Sequence, residues 1–76
     1  MDDQRIGAAI RAVRVMRRLR QADVATRARV TRITVSRLER GQVGRYSIDV
    51  LRRVTNALEM RWTLRSDGTV ETSTES

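Results

Sequence analysis

The 76-residue chain has no cysteine, histidine, phenylalanine, proline or lysine, and a single tryptophan and tyrosine. Without cysteine there is no disulfide and no thiolate, and without cysteine and histidine together there is no site for a metal held by those ligands. The missing histidine is also the commonest general base, and the usual nucleophile pairings go with it. The acids are scattered over separate elements, so an enzyme is not expected, nor a cofactor. No apolar run is long enough to span a bilayer and the N-terminus lacks a signal-peptide core, so a cytoplasmic protein without membrane contact is expected. A chain this short buries only about 60% of the surface its unfolded form exposes, enough for one domain of modest stability.

What is present is positive charge. All sixteen basic residues are arginine, and between Arg5 and Arg53 fourteen of them face three acids, Asp23, Glu39 and Asp49. Beyond Arg65 the sign reverses, with Asp67, Glu71 and Glu75 unopposed. The choice of arginine over lysine is what G·C-rich codons produce, but the excess of charge is not. A basic body of this kind attracts polyanions, and counterion release makes that attraction strongly salt-dependent.

Apolar spacing predicts a helical fold. Ile6, Ala9, Ile10 and Val13 form one stripe of a first helix over 3–18, with Asp2 and Asp3 at the position of N-cap and first-turn acids. Leu19 breaks that phase and should tuck into the core. A second helix of about two turns runs from Gln21 to Ala28, burying Val24, Ala25 and Ala28. Thr31 is a good N-cap for a third, ending at Arg40 and Gly41. GQVGRYS (41–47) reads as a loop, and Ser47 caps a fourth helix with Ile48, Leu51, Val54 and Leu58 on its inner side.

The third helix carries the most informative pattern. With Val24, Ala25, Val35 and Leu38 packed inward, Arg32, Ile33 and Arg37 point outward together. Arginine offers two parallel N–H donors that match O6 and N7 of guanine in the major groove, and isoleucine can meet a thymine methyl. After the helices the period changes: Met60, Trp62 and Leu64 alternate with Arg61, Thr63 and Arg65, the signature of a half-buried strand. That strand could fold back through Asp67-Gly68 onto Thr69 to Thr72, or pair with the same strand of a second copy. The domain boundaries expected are 1–59 for the helices, 60–72 for the strand or hairpin and candidate dimerisation segment, and 73–76 for a disordered tail.

Three segments match one family together: IRAVR, then LRQADVATRARVTRITVSRLERG, then the SxxxLxxxxxAL spacing of 47–58. Over roughly residues 6–60 the chain resembles the phage-repressor/Cro-like (XRE-type) helix-turn-helix DNA-binding domain. The resemblance implies an all-α fold of four to five short helices, here followed by the C-terminal strand pairing across a dimer, in a bacterial or phage protein associated with the nucleoid. It places Arg32, Ile33 and Arg37 at base-reading positions of the recognition helix. Gln21, Thr34 and Arg40 fall where the sugar-phosphate backbone is met. Arg14 and Glu39 match a structural ion pair between the first and third helices. The chain departs from the pattern at Arg29, where the turn usually has glycine in a left-handed conformation, and at Arg20, where a Ser or Thr cap is usual and the second helix should fray.

Around this core, Arg18 and Arg20 are candidate phosphate contacts beside Gln21, like Arg17, with a merely solubilising role as the alternative. Arg45 and Tyr46 lie in the loop before the fourth helix, where the family often meets the phosphate backbone. One recognition helix reads only a few base pairs, so two copies about 34 Å apart on one face of the duplex are expected. Met60, Trp62 and Leu64 are the candidate dimer interface. The function read from this is a sequence-specific double-stranded DNA-binding regulator, a repressor acting as a homodimer on a pseudo-palindromic operator. The alternatives are an antitoxin that also neutralises a protein toxin, or the N-terminal DNA-binding module of a longer protein.

Overall fold

The chain becomes helical at Asp2, whose carboxylate accepts from the backbone N–H groups of Gln4 and Arg5 at 3.1 and 3.2 Å. Two donors that the first turn leaves without helical partners are thereby satisfied. The structure is a computed structural model that describes the backbone of residues 2–64 and 70–74 and the side chains of residues 2–60. Its order is α1 (Asp3–Met16), α2 (Gln21–Ala28), α3 (Arg32–Glu39), a short 3₁₀ turn (Val43–Arg45), α4 (Ile48–Ala57), β1 (Met60–Leu64) and β2 (Val70–Thr74).

Helix ends follow from local chemistry. α1 stops two residues short of the expected end because Arg18 turns left-handed (φ 57°), and the Leu19 N–H closes back on the Arg14 carbonyl at 3.1 Å. α2 ends in the same way, with Arg29 at φ 58°, ψ 45° and the Val30 N–H on the Ala25 carbonyl at 3.0 Å. The turn therefore keeps its left-handed residue although arginine occupies the place that favours glycine. The Thr31 hydroxyl caps α3 by accepting from the Thr34 N–H at 3.1 Å, and Ser47 caps α4 through the Val50 N–H at 3.3 Å. Arg20 has no side-chain acceptor to offer α2. Instead the Asp23 carboxylate reaches back to the Arg20 N–H at 2.8 Å and to its guanidinium at 3.1 and 3.2 Å. These bonds from the Arg20 side chain and backbone hold the Asp23 carboxyl below its ordinary range.

The strained turn yields a test. Arg29→Gly relieves the left-handed penalty at an exposed position and is expected to stabilise the domain by about 1 kcal/mol. A urea midpoint that stays put or falls would contradict that account of the turn.

Ile6 and Ile10 of α1, Val24, Ala25 and Ala28 of α2, Val35 and Leu38 of α3, and Leu51, Val54 and Leu58 by α4 close one aliphatic core. Leu19 packs against it, as expected. α1 lies on α3, and α2 lies on both α3 and α4. The contact of α1 with α3 is close because residue 7 is glycine: a Cβ there would sit 2.4 Å from the Leu38 carbonyl oxygen.

Four expectations need correction. Ile48 is 62% exposed: it opens α4 beyond the reach of the core, so the inner stripe begins at Leu51. The segment 41–47 contains a 3₁₀ turn that buries Val43 in the core. Met60 is only 5% exposed, because β1 starts directly under α4, and it is therefore used inside the domain and not at a dimer interface. Finally, β1 finds its partner within the chain: β1 and β2 form an antiparallel hairpin with Met60 opposite Thr74 and Leu64 opposite Val70. Of the two pairings left open by the sequence, the fold-back is the one present, and β2 takes in residues 73 and 74. The Asp67-Gly68 turn and residues 75–76 lie outside the described residues, as do the side chains of Trp62 and Leu64.

Candidate nucleic-acid interface

α3 presents its outer side at a regular spacing. Val35 and Leu38 are fully buried, and the helix period then turns residues 32, 33, 36, 37 and 40 to the opposite side. Arg32, Arg37 and Arg40 are exposed, and Ile33 is 59% exposed although it is apolar. Together with Gln21 at the start of α2 and Ser36, these side chains line a shallow surface groove. The structure thus brings Gln21, Arg32, Ile33, Arg37 and Arg40 to one place. Ser36 was missed by sequence reasoning, although its spacing of four from both Arg32 and Arg40 was a sufficient signal.

The groove rests on an ion pair. Arg14 Nε donates to Glu39 Oε2 at 2.6 Å and a terminal nitrogen donates to Oε1 at 3.0 Å, a two-pronged contact across α1 and α3. Another terminal nitrogen donates to the Leu19 carbonyl at 2.9 Å. The Glu39 side chain is 4% exposed and that of Arg14 14%. The hydrogen bonds to Glu39 push the Arg14 guanidinium above its ordinary pKa, against the opposing effect of burial. Gln21 Nε2 joins the same carboxylate at 3.3 Å. The pair therefore fixes the C-terminal end of α3 and the first residue of α2 relative to one another.

The remaining candidates stand in varied surroundings. The Arg40 guanidinium donates to the Ser36 hydroxyl at 3.0 Å, and Arg45 donates to the Gln42 side-chain oxygen at 3.1 Å. Arg20 is engaged by Asp23, while Arg17 lies 3.2 Å from Glu59. Arg18 is exposed at the left-handed end of α1. Thr34 shares a hydroxyl contact of 3.0 Å with Thr31. Tyr46 is half-buried, and its phenol is poised between opposing effects. Burial pushes its pKa up, but hydrogen bonds with Arg37 and Thr34, and the charges of Arg37 and Arg45, bring it below the ordinary value.

The chemistry available here is recognition. Exposed guanidiniums and a serine hydroxyl flank one apolar side chain on a helix narrow enough for a major groove. Among the described residues no three His, Cys, Asp or Glu side chains are placed to hold a metal ion. Nor is any helix there long and apolar enough to cross a membrane.

Comparison with known proteins agrees with this geometry in one respect. A family model described as a helix-turn-helix domain matches residues 5–66. Searches of curated proteins and of solved structures returned no match.

Proposed function

We propose that this chain, which belongs to the helix-turn-helix domain family, is a DNA-binding regulator that reads base sequence through Arg32, Ile33 and Arg37. The observation that carries the reading is the groove itself: the outer side of α3 is exposed, cationic and free of acids, with a solvent-facing isoleucine at its centre. A guanidinium aimed at guanine and an isoleucine against a thymine methyl are the contacts such a surface can make. Arg18, Arg40 and Arg45 would supply phosphate contacts that hold the register and carry no sequence information.

Function by occlusion needs affinity and no chemistry, and a cytoplasmic repressor is the form we favour. An eight-residue α3 covers too few base pairs to single out an operator, so two copies on a pseudo-palindromic site are proposed. With Met60 committed to the core, the contact between copies falls to the rest of the hairpin. A two-stranded sheet has open edges that a second copy can extend, and Trp62 and Leu64 remain the residues assigned to it.

The test compares two arginines on a duplex selected from random DNA. Arg37→Ala is expected to relax preference at one base position per half-site, with a loss of about 1–3 kcal/mol there. Arg18→Ala should weaken all duplexes alike and reduce the salt slope by about one. Native mass spectrometry should find two chains on each selected duplex. Equal losses on selected and random DNA for both variants would refute the assignment.

A further inference from the structure

The outer side of α3 carries one short polar side chain among its long ones. Ser36 lines the groove in a row with Arg32 and Arg40, four residues away on either side. It is half-buried, whereas both arginines are exposed. The Arg40 guanidinium donates to its oxygen at 3.0 Å.

A hydroxyl inside a helix commonly donates to a carbonyl three or four residues back. Thr26 does so to Ala22 at 3.0 Å, and Thr55 to Arg52 at 3.1 Å. Ser36 does not: among the described residues its proton has no acceptor. A serine is ordinarily ambivalent toward a base edge, with one proton to give and two lone pairs to accept with. The guanidinium removes that ambivalence. It only donates, so it occupies the serine oxygen. Its charge opposes the approach of a second donor and strengthens the O–H as a donor in its own right. A guanidinium carries five N–H groups, so Arg40 keeps others for a phosphate.

We infer that Ser36 is a specificity-determining residue, presented to the major groove as a donor by Arg40 and selecting an acceptor atom at one base position. The acceptors displayed there are purine N7, guanine O6 and thymine O4, whereas the amino groups of adenine and cytosine are donors and are refused. The inference rests on the DNA reading above. It adds to that reading a residue with its own base position and a second role for Arg40.

Ser36→Ala removes the hydroxyl and favours the helix. On a panel of selected duplexes carrying single base changes, it should lose about two- to tenfold discrimination at one position per half-site and keep the wild-type salt slope. Arg40→Met should weaken all duplexes alike, lower the salt slope by about one, and also narrow discrimination at the Ser36 position. In a Ser36→Ala background only its uniform loss should remain. Base analogues at that position then separate donor from acceptor. Comparing wild type and Ser36→Ala on the same duplex cancels any weakening of the duplex itself. Removing the acceptor, N7 with a 7-deazapurine or the keto oxygen with 2-aminopurine or a 2-pyrimidinone, should abolish the wild-type advantage. Removing an amino group, with purine for adenine or a 2-pyrimidinone for cytosine, should preserve it. An advantage that disappears with the amino group overturns the inference. So does a Ser36→Ala protein that discriminates like the wild type or loses affinity uniformly, or an Arg40→Met protein with full discrimination at the Ser36 position. A wild type without any base preference refutes the DNA reading, and this inference with it.

Discussion

Glu39→Ala is expected to lower the stability of the domain by about 3–5 kcal/mol, the cost of leaving one member of a buried ion pair behind. For a chain of this length the whole folding free energy is about 4–11 kcal/mol, so the loss removes a large share of the stability. The Arg14 guanidinium would stay inside with only the Leu19 carbonyl as partner, and Gln21 would lose its acceptor. Replacing both partners by apolar residues, Arg14→Met with Glu39→Leu, should recover most of the loss because no buried charge is stranded. Urea denaturation of the three variants measures this. A loss below about 1 kcal/mol for Glu39→Ala would place the pair with ordinary surface bridges.

The second large effect concerns a single methyl group. In an exposed helix Gly→Ala stabilises by about 0.5–1 kcal/mol, but Gly7→Ala is expected to destabilise by about 3 kcal/mol or more, at the upper end of overpacking. The added Cβ would stand 2.4 Å from the Leu38 carbonyl oxygen, 2.8 Å from the Gly41 nitrogen and 2.9 Å from the Glu39 carbonyl oxygen. All three are backbone atoms at the end of α3, which cannot rotate aside as a side chain would. Relief requires α1 and α3 to separate, which also strains the Arg14–Glu39 contact and shifts the groove. Thermal unfolding reads the sign directly, and a variant as stable as the wild type would show that α1 and α3 do not approach as closely as described.

These two sites differ in how visible they are from the chain alone. Arg14 and Glu39 were found by position, because a family resemblance assigns them as partners across 25 residues, a separation that no local pattern reveals. Gly7 gave no signal: a small residue inside a helical stripe reads as a gap, and only the neighbouring helix explains it. Helix limits were legible where a cap marks them, at Asp2, Thr31 and Ser47, since capping is local chemistry. The end of α1 was placed too late because Arg18 takes a left-handed conformation that arginine does not advertise.

Burial was legible where the 3.6-residue period dominates and less so at element ends. Ile48 fits the α4 stripe by spacing but lies past the edge of the core. Met60 has the two-residue alternation of a strand, yet its closeness to Leu58 draws it under the helices. Both errors have one cause: periodicity gives the side of an element that faces inward, not how far along it the core extends. In the site, the exposed side of α3 followed from the same period that buries Val35 and Leu38.

The central claim is that the side of α3 carrying Arg32, Ile33 and Arg37 enters the major groove. Replacing guanine by 7-deazaguanine removes the N7 acceptor from that groove and leaves base pairing and the minor groove unchanged. On a duplex selected by the protein, this replacement at each guanine in turn should weaken wild-type binding at one or more symmetry-related positions and cost Arg37→Ala nothing further at the position Arg37 reads. Full affinity for every 7-deazaguanine duplex would contradict the claim.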